Sequence, residues 1–272
     1  MSLRAALTRL AVPAVVAGTA AALPLPPPAL PDRMADTGGG TQLITAVAAS
    51  PEATTGTLTW WDRRDGRWVA AGSAAARFGG GGLVEGRDRV QSTSTTPAGL
   101  YDLPFAFGTE PPPPGTRTRY LPVTQDSWWC QDNASDAYNR WVEPLPEDCA
   151  PEESERLADF GKQYAHALVI GFNYRHPVRG RGAGIFLHVN GRGATAGCVS
   201  VPAGAMRRVL AWADPGSHPH IAIGTESGAT AITRHRDRPP PGSPADARRD
   251  GDDRSHGGTG EPAADTLSRG RR

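Results

Sequence analysis

From residue 42 onward the chain alternates short apolar runs with clusters of turn-forming residues, and the apolar spacing is mostly that of strands. GTLTWW and RWVAAG alternate with a period of two around DRRDG, where Asp65-Gly66 suits the positive-φ turn of a β-hairpin. FGGGGL (78–83) is too glycine-rich for a regular element and predicts backbone packed closely against a neighbour. STTPAGLYDLPFAFG (94–108) predicts a Thr-Pro turn leading into a short strand, and PPPPG (111–115) a loop. AHALVIGFNY (165–174), GIFLHV (184–189) and HPHIAIG (218–224) read as further strands. Helical signals are confined to PEESERLADFGKQY (151–164), with acids in its first turn, and AGAMRRVLAWA (203–213). There is no βαβ rhythm and no repeat. The pattern predicts a mainly β, antiparallel β-sandwich-like domain with one or two short helices.

The same patterning bounds the domain. Residues 1–22 read as a signal peptide: Arg4 and Arg9 precede a short apolar core, and small residues around Ala20–Ala22 offer a cleavage site. The apolar run, roughly 13 residues, is shorter than the ~20 a spanning helix needs, so no transmembrane domain is expected after processing. A short uncleaved anchor is the alternative. Residues 23–41 form a Pro- then Gly-rich linker, residues 42–230 the folded domain, and residues 231–272 a charged, Pro/Gly-rich tail expected to be disordered.

Composition sharpens this picture in two places. The formal net charge of +1 gives no field that would call for nucleic acid as partner. Export makes the three cysteines informative, because an oxidising compartment favours pairing and an odd count leaves one over. Cys130 and Cys149 bracket a polar, turn-rich segment, and a disulfide between them would contribute about 3 kcal/mol in the chain-entropy model. Cys198 is then the free thiol; its pairing with one of the other two is the alternative.

Candidate chemistry concentrates in IFLHVNGRGATAGCVSVP (185–202). Alternation places Ile185, Leu187 and Val189 on one face of a strand, with Phe186, His188 and Asn190 on the other. Gly191, Gly193 and Gly197 permit a tight reversal that returns the chain beside His188 at Cys198. A neighbouring imidazole is what a thiolate nucleophile needs, since it lowers the thiol pKa. Glycine just before the cysteine leaves backbone N–H groups open to an oxyanion. The bland alternatives are a small buried cysteine and a satisfied strand-end histidine. His176, in a loop, is the runner-up base, and His166 reads as a core or edge histidine. His218 and His220 lack any H-E-x-x-H pattern, so no metal ligand set is assigned.

These residues resemble the active-site segment of the L,D-transpeptidase catalytic domain (YkuD-type), as found in exported actinobacterial members. The pattern is a strand His, a loop, then Ser/Thr-x-Gly-Cys and an apolar residue, matched by His188, Thr195, Gly197, Cys198 and Val199. TTPAGLYDLPFAFG, the Trp pair at 128–129, the Tyr-Asn at 138–139 and ALVIGFNY add to the likeness. The resemblance implies a β-sandwich-like enzyme acting on peptidoglycan stem peptides, as a monomer and without metal or organic cofactor. Cys198 would attack a tetrapeptide donor, and His188 would act as base with its ring oriented by the Val189 carbonyl. The N–H groups of Gly197 and Cys198 would hold the oxyanion, with Tyr174 or Tyr101 as possible helpers. The acyl group would pass to an amine, forming a 3→3 cross-link. Thr195, Ser200, Arg192 and Asn190 are the implied substrate contacts. Two positions depart from the pattern: Ala196 stands where many members have His, and Ser200 where they often have Arg. Arg192 or Arg181 is expected to replace that arginine. A cysteine hydrolase using the same dyad and a non-catalytic wall-binding module are the competing functions.

Overall fold

The computed structural model describes residues 28–233. The signal-peptide reading and nearly all of the tail lie outside the described residues. Seven strands form the first half: β1 (Gln42–Ala48), β2 (Thr55–Arg64), β3 (Arg67–Arg77), β4 (Leu83–Glu85), β5 (Thr96–Asp102), β6 (Ala106–Gly108) and β7 (Tyr120–Pro122). The second half holds β8 (Trp128–Cys130), β9 (Arg140–Val142), β10 (Glu155–Arg156), β11 (Ala167–Val169), β12 (Phe186–Val189), β13 (Val199–Val201), helix α1 (Ala203–Trp212) and β14 (His220–Thr225).

Eleven strands make one sheet in the order β4-β5-β14-β1-β2-β3-β13-β12-β11-β6-β7, and β10-β8-β9 form a separate small sheet. The mainly β, sandwich-like class stands, with one α-helix among the described residues. Strand directions are mixed: β1/β14, β12/β13, β4/β5 and β6/β7 run parallel. The hairpin forms as the alternation predicts, with Asp65 and Gly66 both at positive φ, which matches the twist of the flanking strands. In α1 the buried Ala205, Met206, Val209 and Leu210 form one stripe, and Asp214-Pro215 blocks further helix.

Two interiors result. An aliphatic core joins Ile44, Leu58, Leu187, Val199, Ile221 and the α1 stripe, so strands from both halves of the large sheet face a common interior. An aromatic cluster gathers Phe105, Phe107, Trp129, Tyr164 and Phe186 around Cys198. Strand β12 divides them, with Ile185, Leu187 and Val189 in the first and Phe186 in the second.

Several expectations change. The helix read over 151–164 is two 3₁₀ turns, Pro151–Glu153 and Leu157–Phe160, around the two residues of β10. Pairing of Glu155 and Arg156 with Trp129 and Trp128 holds that segment extended, and tertiary pairing overrides its local propensity. The long strand over 165–174 is confined to Ala167–Val169, because the chain turns at Gly171 and Asn173 takes φ 51°. Thr96-Pro97 lies inside β5 instead of forming a turn. In the described part of the linker read over 23–41, Ala29, Leu30 and Met34 pack on Leu43, Trp68 and Ala222. At the other end Ile232 joins the same apolar cluster.

Candidate active site

The cysteine arithmetic holds. Cys130 and Cys149 are disulfide-bonded with Cα atoms 6.2 Å apart, and Cys198 is free and buried. The parallel pairing of β12 with β13 sets Leu187 opposite Val199 and His188 opposite Ser200. Val199 and Val201 point into the aliphatic core, so Cys198 falls on the other face, with Phe186. His188 shares that face, its ring 5.5 Å edge-to-face from Tyr164. Cys198, His188, Tyr164, Glu155, Arg89 and Arg192 all line one cavity of about 530 Å³.

The glycine-rich segment predicted to pack tightly does so against the loop that delivers Cys198. Gly79 bridges to Thr195, Gly80 N donates to Thr195 O, and Thr195 N donates to Phe78 O. A Cβ on Gly79 would stand 2.0 Å from the Ser94 carbonyl oxygen. Arg77 Nη1 donates to the carbonyls of Gly191 and Gly193 and fixes the outer part of the loop.

The sulfur of Cys198 donates to Gly184 O and accepts from Phe186 N, both at 3.4 Å. Gly184 is itself held by Asn139, whose Oδ1 accepts from Gly184 N at 3.1 Å and from Trp129 Nε1 at 2.9 Å. His188 Nδ1 lies 2.8 Å from Val189 O. A carbonyl can only accept, so Nδ1 carries the proton and Nε2 keeps its lone pair. Val189 O is thus the group that His188 Nδ1 faces. Burial pulls the His188 pKa down to about 4 against this hydrogen bond. Burial likewise pushes the Cys198 thiol up to about 12, with the Glu155 carboxyl adding to the rise; the Phe186 amide and Arg89 oppose it. Burial therefore favours a neutral thiol and a neutral imidazole in the resting pair. Desolvation outweighs the attraction an ion pair would gain.

Other predicted residues take different places. Thr195 Oγ1 donates to Cys198 O at 2.6 Å and accepts from Gly197 N at 3.1 Å. Threonine thus clasps the turn, and the Gly197 N–H is already occupied. Among the described residues the Cys198 N–H has no acceptor, which leaves it as the backbone donor next to the sulfur. Ser200 Oγ donates to Asn190 Oδ1 at 2.8 Å, and neither residue lines the cavity. Arg192 is exposed on its rim, while Arg181 lies outside it. His176 is exposed and away from the cavity, and His166 is buried against Tyr120 and Glu110. Tyr101 donates to Ala98 O, Tyr174 stacks within the aromatic cluster, and neither reaches the cavity.

Sequence reasoning missed two groups. Glu155, in the segment read as a helix, accepts hydrogen bonds from Tyr164 Oη and from Gln131 Nε2. Its residue keeps some exposure, but the carboxyl turns inward, and burial pushes its pKa up to about 7. Arg89, one of many arginines, is 6% exposed and faces the same cavity. No local pattern marks either residue.

Residues 52–223 match the profile of YkuD, the L,D-transpeptidase catalytic domain. The chain belongs to the YkuD family. A search of curated proteins returns no significant match. Among solved structures, that of Bdellovibrio bacteriovorus Bd1075 aligns at 17% identity and a TM-score of 0.36, covering 77% of this chain. The aligned part spans 55% of that structure's length. YkuD domains act on peptidoglycan peptides. Among the described residues no helix is long and apolar enough to cross a membrane.

Proposed function

We propose that this YkuD chain is a peptidoglycan L,D-transpeptidase working through a Cys198 acyl-enzyme. The observation that carries the reading is a free Cys198 sharing one cavity with a histidine whose Nε2 lone pair is set by the Val189 carbonyl. Because thiol and imidazole rest neutral, the proton moves from sulfur to Nε2 as sulfur attacks the carbonyl of a tetrapeptide donor. The S–C bond forms, and the Cys198 N–H donates to the developing oxyanion. Collapse breaks the C–N bond, and His188 returns the proton to the departing terminal residue. An acceptor amine then attacks the thioester, gives up a proton to Nε2, and the amide forms with release of the thiol. The disulfide fits an oxidising compartment, which supports export of the mature chain.

The test is incubation with disaccharide-tetrapeptide followed by mass spectrometry. Cross-linked dimers, and a covalent adduct on Cys198 lost in Cys198→Ala, are expected. Tripeptide without dimers would replace transfer by hydrolysis on the same dyad. Products that persist in Cys198→Ala would overturn the assignment.

A further inference from the structure

Arg89 is a buried cation with an unused donor beside the nucleophile. Its Nε donates to Thr95 O at 2.8 Å and its Nη1 to Arg181 O at 3.1 Å, so two backbone carbonyls fix the plane of the guanidinium. Phe172 backs it, with the ring centroid 5.6 Å from Cζ. No carboxylate pairs with it, and Nη2 has no acceptor, among the described residues. Leaving a guanidinium desolvated without an anion is costly, and such a residue is kept where an anion completes it. Nη2 marks where that anion goes. A Cβ on Gly197 would stand 2.9 Å from Nη2, so the residue preceding Cys198 is side-chain-free on the side where Arg89 approaches. Burial lowers the Arg89 pKa, and a negative charge on the Cys198 sulfur would oppose that shift, which places the two groups within electrostatic reach. Arginine nonetheless stays protonated.

Two anions could complete the site: the Cys198 thiolate, or a carboxylate on the donor. The resting thiol is neutral, so it does not compensate Arg89. In the donor of the proposed reaction, a single carbon separates the scissile nitrogen from the free carboxylate of the departing residue. That carboxylate must lie near the sulfur when the carbonyl is under attack. Arg192, the arginine offered by the sequence for this contact, sits exposed on the rim, where solvent screens its charge. Ser200 is buried against Asn190 and presents nothing to the cavity.

We propose that Arg89 reads the terminal carboxylate of the donor peptide, making the enzyme selective for a scissile bond next to a free C-terminus. The inference rests on the acyl-donor reading above. A charge-assisted hydrogen bond to a buried site corresponds to about tenfold to a hundredfold in affinity.

The experiment compares binding of a tetrapeptide stem with a free C-terminal carboxylate and of its C-terminal amide to the Cys198→Ala protein, by calorimetry. The free acid is expected to bind at least about tenfold more tightly than the amide. Adding Arg89→Gln should bring the two ligands to equal affinity, with Arg89→Lys intermediate. Where a variant fails to fold, the acid-to-amide ratio in Cys198→Ala alone still decides. Equal binding of both ligands to Cys198→Ala overturns the carboxylate reading and leaves the acyl-donor reading intact. A preference that survives Arg89→Gln in folded protein also overturns it. If neither ligand binds, both readings are overturned. In Cys198-containing protein, Arg89→Gln should raise KM for the free acid more than it lowers kcat, and a purely structural role would lower turnover of acid and amide alike.

Discussion

Strand β12 has a buried face on either side, and the two interiors differ in kind. On the side of Leu187, mostly aliphatic side chains from both halves of the sheet and from α1 make up the buried interior, with Tyr101 and Tyr120 only at its partly buried margin. On the side of Phe186, aromatic rings enclose a thiol, and a phenol, a carboxyl, an imidazole and a guanidinium border the same cavity. Burial stabilises the first interior through apolar area alone. In the second it works against charge and sets pKa values: Cys198 is pushed up to about 12 and His188 down to about 4. Equal burial thus yields a scaffold on one face and a reactive, neutral site on the other.

The sharpest way to break this comparison is one substitution on each face. Cys198→Ala should lower turnover at least about 10³-fold, while changing stability by only about 1 kcal/mol for the lost atom. Leu187→Ala should do the reverse, costing about 2–5 kcal/mol in denaturant unfolding while the folded fraction keeps its turnover. If Cys198→Ala proved the more destabilising, the thiol would be a packing residue and the distinction would fail.

The aromatic face also carries the covalent tie. Replacing Cys130 and Cys149 together by serine should cost about 3 kcal/mol, seen as a lower melting temperature that reductant reproduces in the parent protein. An unchanged melting temperature would mean that β8 and the segment after it are held by packing alone.

Glu155 gives a smaller, pH-dependent signature. Its folded pKa of about 7 lies above the unfolded carboxylate range, so its protonated form is favoured by folding. The contribution is full at low pH and is lost as pH rises through about 7. Glu155→Gln should therefore gain stability relative to the parent between pH 5 and pH 8, by roughly 1–3 kcal/mol before discounting for partial exposure. A difference independent of pH would show that the carboxyl is solvated.

The smallest effect concerns reactivity without substrate. Alkylation of Cys198 by iodoacetamide should be slow near neutrality and should keep accelerating, about tenfold per pH unit, beyond pH 9. A plateau near pH 7 would reveal a resting thiolate and a more polar pocket than the one described.

Parts of this architecture were readable from the chain. The hairpin followed from alternation around Asp65-Gly66, and α1 from the helical segment AGAMRRVLAWA. The odd cysteine count singled out Cys198. The segment 151–164 misled because its acids and apolar spacing are local signals, whereas β10 exists only by pairing with β8. The resemblance implied Thr195, Ser200 and Asn190 as substrate contacts. In the fold Thr195 lines the cavity while its hydroxyl clasps the turn, and Ser200 and Asn190 bond to one another outside it.

The sequence by itself determined which residues share a strand face, because side-chain direction in a strand repeats every two residues and depends on nothing distant. That put His188 opposite the aliphatic positions and made Cys198 its candidate partner. Tertiary structure alone decided what surrounds them. Arg89 and Glu155 come from segments far away in the chain, and only the folded sheet brings them to one cavity and strips their water. Desolvation is a property of the assembled environment, so the charge state of the site, and the anion that Arg89 awaits, were written in the packing and not in the motif.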